Sequence, residues 1–202
     1  MFTGIIQAVG AVAAVVLKGE DARLTIRAGS LDLSDVRLGD SIACNGVCLT
    51  VVDVLPEGFS VDVSAETFRC SAGFPTDSAV NLEKAMRLAD RVGGHLVSGH
   101  VDGVGTVTSF TPVGDSMELV IAAPREIVRF IVTKGSMTVN GVSLTVNRAT
   151  GNDFSINLIP HTLAETNLAD LKAGSRVNLE VDMMARYAER ILNYSQESGT
   201  NT

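Results

Sequence analysis

At 202 residues the chain can hold one domain or two, and no stretch approaches the roughly 18 uncharged apolar residues of a membrane span. Its 16 basic and 23 acidic side chains give a formal charge of -7, with no basic stripe or interleaved aromatic platform, which argues against a nucleic-acid partner. Aromatic residues are only 4% and Trp is absent, so Val, Ile, Leu, Ala and Met must fill the interior, and a Val-rich interior favours strands.

In chain order, MFTGII is apolar but lacks the basic n-region of a signal peptide. Alternating or nearly continuous β-type stretches open at 5–17 and again at 101–110, followed by strands at 22–28 and 116–122. The segment at 124–135 reads as a short helix with Pro124 in its first turn and Ile127, Val128 and Ile131 on one face. A weaker counterpart lies at 30–39 with Ser30 as its cap. Asn45-Gly46 and Asn140-Gly141 each sit between β-favouring runs, a strong hairpin signal. Further strands begin near Phe59 and Phe154, and the last strand of each half carries VNLE, at 80–83 and 177–180. Leu82, Ala85, Met86 and Ala89 have helical spacing, which predicts a strand followed by a short helical linker.

The chain reads itself twice. Residues 41–51, SIACNGVCLTV, and 136–146, SMTVNGVSLTV, are identical at seven of eleven positions, an offset of 95. Thr3-Gly4 then matches Ser98-Gly99, and Thr67 matches Thr162. Such a period is too long for a solenoid and suits a duplicated small domain. Six short strands and a small helix per copy point to an all-β fold of duplicated small barrels, because closure removes exposed edges, although alternation alone does not distinguish a barrel from a sandwich. The expected boundaries are a first barrel at 1–94, a second at 95–183, a helix at 184–194 and a frayed tail at 195–202. Met184, Ala188, Ile191 and Leu192 give that helix an apolar stripe suited to oligomerisation. The copies diverge where chemistry is concerned: Cys48 becomes Ser143, Glu66 becomes His161 and Ile5 becomes His100. Cys44, Cys48 and Cys70 form no metal-binding CxxC pair and read as free thiols of a cytoplasmic protein. No metal or cofactor is expected.

MFTGI, both NG-centred strands, GGHLVSGH at 93–100, LIPHTLAET at 158–166, VNLEVD at 177–182 and ARYAERIL at 185–192 resemble the alpha subunit family of riboflavin synthase over essentially the whole chain. The resemblance implies two six-stranded Greek-key barrels and a C-terminal helix that contributes to a homotrimer. It also implies dismutation of two 6,7-dimethyl-8-ribityllumazine molecules, one donating a four-carbon fragment to the other. Relatives that only bind lumazines or flavins keep the scaffold without the chemistry, so fold alone does not prove activity.

On this resemblance Cys48, Ser41, His100 and Asp182 are the expected catalytic residues. Cys48 is either the nucleophile adding to C7 or a hydrogen-bond partner of the adding group, against the alternative of a small core filler. His100 is the expected proton shuttle, whereas linker packing is the expected role of His95. Asp182 can relay protons or orient a hydroxyl, and can equally cap the final helix; Ala85 holds its place in the first copy. Thr3, Thr50 and Thr67 are expected to line one pocket, and Ser98, Ser143, Thr145 and Thr162 the other. Phe2, Gly4, Asp62, Glu66 and Gly99 complete the expected substrate contacts. RCSAGFPTDSAVNLE at 69–83 is two residues shorter than its counterpart at 164–180, so that loop is expected to be rebuilt.

Overall fold

Two Asn-Gly turns organise the structure, a computed structural model that describes residues 1–199. Asn45 and Gly46 have φ of 48° and 78°, and Asn140 and Gly141 of 47° and 81°. Positive φ at both positions makes the two-residue turn whose twist matches its strands. The first turn joins β3 (Ser41–Cys44) to β4 (Val47–Leu55), and the second joins β9 (Ser136–Val139) to β10 (Val142–Thr150).

The first barrel adds β1 (Ala8–Lys18), β2 (Asp21–Arg27), β5 (Gly58–Val63) and β6 (Ala79–Lys84), and closes in the order β1-β2-β5-β4-β3-β6. The second adds β7 (Gly103–Val113), β8 (Ser116–Ala122), β11 (Asp153–Leu158) and β12 (Arg176–Val181), closed in the equivalent order. Every pairing is antiparallel. In the first barrel β3, β4 and β5 run consecutively and β6 returns beside β3, which is a Greek key. Register shifts recur at matching points, Val12/Ala14 with Val107/Ser109 and Val51/Asp53 with Val146/Arg148, where added twist helps the sheets close.

Alternation decides what goes inside. Leu24, Ile26, Ile42, Phe59 and Leu82 fill the first barrel, and the matching Leu119, Ile121, Met137, Phe154 and Leu179 fill the second. Each such side chain contributes about 1.5–3 kcal/mol by leaving water. Cys44 lies in the first core, where burial pushes its thiol well above the usual range.

Three helical expectations are corrected. Residues 30–39 form turns, and 124–135 keeps only the three-residue 3-10 turn Val128–Phe130. Ile127 and Ile131 are both buried, so their spacing serves to anchor a loop rather than to build a helix. The linker after β6 is irregular: the Met86 N–H bonds to the Met1 carbonyl, and Leu88 projects into solvent. The short helices lie elsewhere, α1 (Ala65–Cys70) after β5 and α2 (Pro160–Glu165) after β11. Ser64 caps α1 by accepting from the Thr67 N–H, and Pro160 occupies the first turn of α2. The terminal helix α3 (Met183–Gly199) outruns the expected 184–194, so residues 195–199 are helical; the remainder of the expected tail, 200–202, lies outside the described residues.

The barrels meet about a local two-fold axis. Asn81 Nδ2 donates to the Asn140 carbonyl at 3.0 Å, and its equivalent Asn178 donates to the Asn45 carbonyl at 2.8 Å. A Cβ on Gly46 would lie 2.7 Å from the Gly141 nitrogen, and the converse distance is also 2.7 Å. Phe2 and Val97, one repeat apart, exchange backbone hydrogen bonds of 2.8 and 3.0 Å. Among the described residues no helix is long and apolar enough to cross a membrane.

Two crossed candidate sites on the barrel walls

On β4 the side chains of Val47, Leu49 and Val51 are buried in the core, so the intervening Cys48 and Thr50 point out of the barrel. Ser41 lies opposite Thr50, and Ala43 opposite Cys48, on that outer face. The same register places Ser143 and Thr145 outside the second barrel, with Ser136 opposite Thr145. The candidate sites therefore lie on the outer walls.

Each wall is covered by the lead-in segment of the other barrel. The Ser143 N–H donates to the Gly4 carbonyl at 2.7 Å, and the Cys48 N–H donates to the Gly99 carbonyl at 2.8 Å. Gly4 and Gly99 have φ of 74° and 79°, and a Cβ there would come within 2.6 Å of Ser143 Cβ or 2.7 Å of Cys48 Cβ. Only glycine meets both demands. The following residues complete the exchange: Ile6 packs on the second core and Val101 on the first.

A buried glutamate pins each crossing. Glu83 accepts from the Thr3 N–H and hydroxyl, both at 2.7 Å, and from the Gly4 N–H at 3.0 Å. Glu180 accepts from the Ser98 N–H at 2.7 Å, its hydroxyl at 2.6 Å and the Gly99 N–H at 3.0 Å. Burial pushes both carboxyls above the usual range, and these hydrogen bonds pull the other way. Sequence reasoning gave neither glutamate a role. The available signal was a glutamate repeated in VNLE beside the repeated hydroxyl-glycine doublets. The Thr3 and Ser98 hydroxyls are thus committed to these carboxylates rather than turned toward a ligand.

The first site is a cavity of about 180 Å³ bounded by Val47, Cys48, Glu66, Thr67, Cys70 and His100. The structure brings together here five of the expected site residues, Cys48, Glu66, Thr67, Gly99 and His100, the last two from the lead-in of the second barrel. Glu66 receives Arg69 Nε at 3.0 Å, Arg69 Nη2 at 2.5 Å and the Cys70 thiol at 3.3 Å. Arg69 holds the Glu66 carboxyl below its ordinary range, while the bond to Glu66 pushes the Cys70 thiol up. Phe2 is fully buried with Ala43 and Val97 and backs Cys48 rather than covering a mouth. Asp62 does not line this cavity: Arg23 holds it at 2.7 and 2.8 Å on the exposed barrel surface, with Lys18 at 3.5 Å, and pulls its carboxyl to about 2. Ser41 borders a different cleft of about 510 Å³, where Lys84 bonds Asp35 at 2.7 Å and Arg87 pairs with the same carboxylate.

The second site differs in its groups. His95 Nδ1 lies 2.7 Å from Ser143 Oγ, so this histidine does more than fill the linker. Burial holds the imidazole below its ordinary range, against the charge of nearby Asp182. Asp182 also caps α3, accepting from the Met184 N–H at 2.9 Å. His161 and Thr162 lie on α2, in the places that Glu66 and Thr67 take on α1. His100, following Gly99, belongs to the first site; Ile5 follows Gly4 at the second. Among the described residues no group of His, Cys, Asp and Glu could hold a metal ion.

Comparison with known proteins agrees with this architecture. The lumazine binding domain family matches residues 3–85 and again 98–182. The chain is 49% identical to a riboflavin synthase of Photobacterium phosphoreum over 194 residues, covering 95% of this chain and 89% of the relative. It is 42% identical to that of Bacillus subtilis over 202 residues, covering 99% and 94%. Among solved structures, LumP complexed with riboflavin superposes with a TM-score of 0.83 at 26% identity, covering 90% of this chain and 99% of that one. LumP complexed with 6,7-dimethyl-8-(1'-D-ribityl) lumazine gives 0.81 at the same identity and coverage.

Proposed function

The chain belongs to the riboflavin synthase family, and from that membership we infer that it converts two molecules of 6,7-dimethyl-8-ribityllumazine into riboflavin and 5-amino-6-(D-ribitylamino)uracil. One observation carries the reading: two equivalent wall sites, each closed by the other barrel, present different polar groups. Two copies of one substrate need two similar seats and two different roles, and the divergence of Cys48 from Ser143 and Glu66 from His161 supplies the difference. Holding the reacting carbons together supplies much of the rate gain. The two products contain the atoms of the two substrates, so the four-carbon exchange needs no external oxidant.

The reaction requires a carbanion at the methyl group on C7 of one molecule and a nucleophile adding at C7 of another. In this reading His100, which lines the first cavity with Cys48, moves the methyl proton. The Cys48 thiol, or a hydroxyl that it positions, adds at C7. Ionised Glu66 accepts from ribityl hydroxyls, with Thr67 beside it. Asp182, at the second wall near His95, orients a hydroxyl or relays a proton. Ser41 and Thr50 lie opposite each other on the outer face of the first barrel, and Thr145 lies on that of the second.

The working assembly in this reading is a homotrimer in the cytoplasm, with a first-barrel site of one subunit facing a second-barrel site of the next. Helix α3 supports it. Arg186 bonds Asp102 at 2.6 Å and Glu189 bonds Arg129 at 2.7 Å, fixing the helix to the second barrel. Met184, Tyr187 and Leu192 remain more than 60% exposed on that helix, a surface suited to another subunit. A single monomeric mass across micromolar concentrations would reject the trimer.

Incubation of purified protein with 6,7-dimethyl-8-ribityllumazine tests the activity. Equal, enzyme-dependent accumulation of riboflavin and the pyrimidine is expected. Ligand bound with neither product formed would move the assignment to a non-catalytic lumazine binder.

A further inference from the structure

His95 is both bonded and incomplete. Its Nδ1 lies 2.7 Å from Ser143 Oγ, while its Nε2 is buried without a partner. The backbone leaves it little freedom: the His95 N–H bonds to the Thr3 carbonyl at 3.1 Å, and a Cβ on Gly94 would sit 2.6 Å from Ser143 Cβ. The Ser143 N–H is committed to Gly4, and the Ser143 hydroxyl makes no other hydrogen bond among the described residues.

The unpartnered Nε2 favours one direction for the His95–Ser143 bond. A neutral imidazole carries one N–H and one lone pair. Buried backbone N–H groups go without a partner more rarely than carbonyls do, and the same preference in the ring places the proton on Nδ1 and the lone pair on Nε2. Burial, which holds the ring below its ordinary range against the charge of Asp182, favours this neutral form. Nδ1–H then donates to Ser143 Oγ, and the hydroxyl proton of Ser143 is left free.

We propose that His95 is a positioning residue of the second site, holding the Ser143 hydroxyl through Nδ1–H so that Ser143 donates its proton to a ring carbonyl of the bound heterocycle. The proposal rests on the reading of Ser143 as a ligand contact. Cys48, the equivalent in the first barrel, makes no such bond to an imidazole among the described residues. Two identical rings would therefore meet an oriented hydroxyl donor at one wall and a thiol at the other.

The tautomer is read by long-range proton–nitrogen NMR of the three histidines, assigned with His95→Asn. A protonated Nδ1 and bare Nε2 are expected for His95; the opposite tautomer overturns the proposal, whether or not the parent turns over. In kinetics, His95→Ala should lower kcat/KM about tenfold, chiefly through KM, as expected for one lost hydrogen bond. His95→Asn, whose amide N–H reaches near the Nδ1 position, should stay within about threefold of the parent. In a Ser143→Ala background, His95→Ala should add less than about twofold, because the two residues act through one bond. Equal losses in both backgrounds, or parental kinetics in His95→Ala, would overturn it. A parent that forms no riboflavin would count against the proposed activity, while the tautomer would still decide the role of His95.

Discussion

Replacing Glu180 with Ala should open the site on the other barrel. The carboxylate accepts three hydrogen bonds, at 2.7, 2.6 and 3.0 Å, from the Ser98–Gly99 turn, and Gly99 in turn accepts the Cys48 N–H. Hydrogen bonds to a charged group are worth about 1.5–3 kcal/mol each, and burying the carboxylate costs several kcal/mol. A net loss of roughly 3 kcal/mol at the turn follows, or about a hundredfold in its opening equilibrium at ~1.4 kcal/mol per decade. Amide hydrogen exchange reads it directly. In Glu180→Ala the Cys48 amide should exchange about a hundredfold faster, with Ser143 within about threefold of the parent. Glu83→Ala should do the reverse, exposing Ser143 and sparing Cys48. If each variant instead loosened the wall of its own barrel, or both amides moved together, the crossed arrangement would be refuted.

Other consequences can be measured more simply. Asn178→Ala leaves the Ala72 N–H and the Asn45 carbonyl without their bonds of 2.6 and 2.8 Å and should cost about 2–4 kcal/mol in urea unfolding; a loss under about 1 kcal/mol would remove the junction from the stability argument. Gly99→Ala puts a Cβ at positive φ within 2.7 Å of Cys48, so it should abolish ligand binding at the first site while the far-ultraviolet circular dichroism stays parental. Asp62, held near 2 by Arg23 against an ordinary carboxylate value near 3.8, contributes stability that is present above that ordinary value and lost as pH falls through about 2. Because the pair is half exposed, Asp62→Asn should cost less than about 1 kcal/mol at pH 7, and the difference should shrink between pH 5 and pH 2; a difference growing with acid would contradict the assignment.

The barrels were legible in the sequence because their signals are local. An Asn-Gly pair declares its own turn, and alternation along Ala22, Leu24 and Ile26 declares its own inner face. The offset of 95 residues then doubles each signal. Six-residue helices give too few turns for a period to show, so α1 and α2 escaped, although Ser64 and Pro160 mark their starts. The reverse error arose at 124–135, where Ile127 and Ile131 have helical spacing because a loop uses both as anchors. The crossing was illegible for a different reason: it joins Gly4 to Ser143 and Gly99 to Cys48, and no periodicity links those pairs. The two neighbouring histidines could not be sorted either, since His95 and His100 serve opposite walls only after the lead-in segment has turned at Gly99.

The position of Glu180 also sets the order in which a growing chain can become competent. Residues 48–101 contain Cys48, Glu66, Gly99 and His100, and all are synthesised before the second barrel is half made. The Ser98–Gly99 turn that covers Cys48 is nonetheless fastened by a carboxylate on the last strand of the second barrel. Domains fold as units during synthesis, the N-terminal one first. The first barrel would thus form early but keep an unfinished wall until the chain passes residue 180. The Ser143 wall has the opposite history, because Glu83 can seat the Gly4 turn before Ser143 has been made. Chains that stop short of β12 should therefore carry a folded first barrel with an open binding wall.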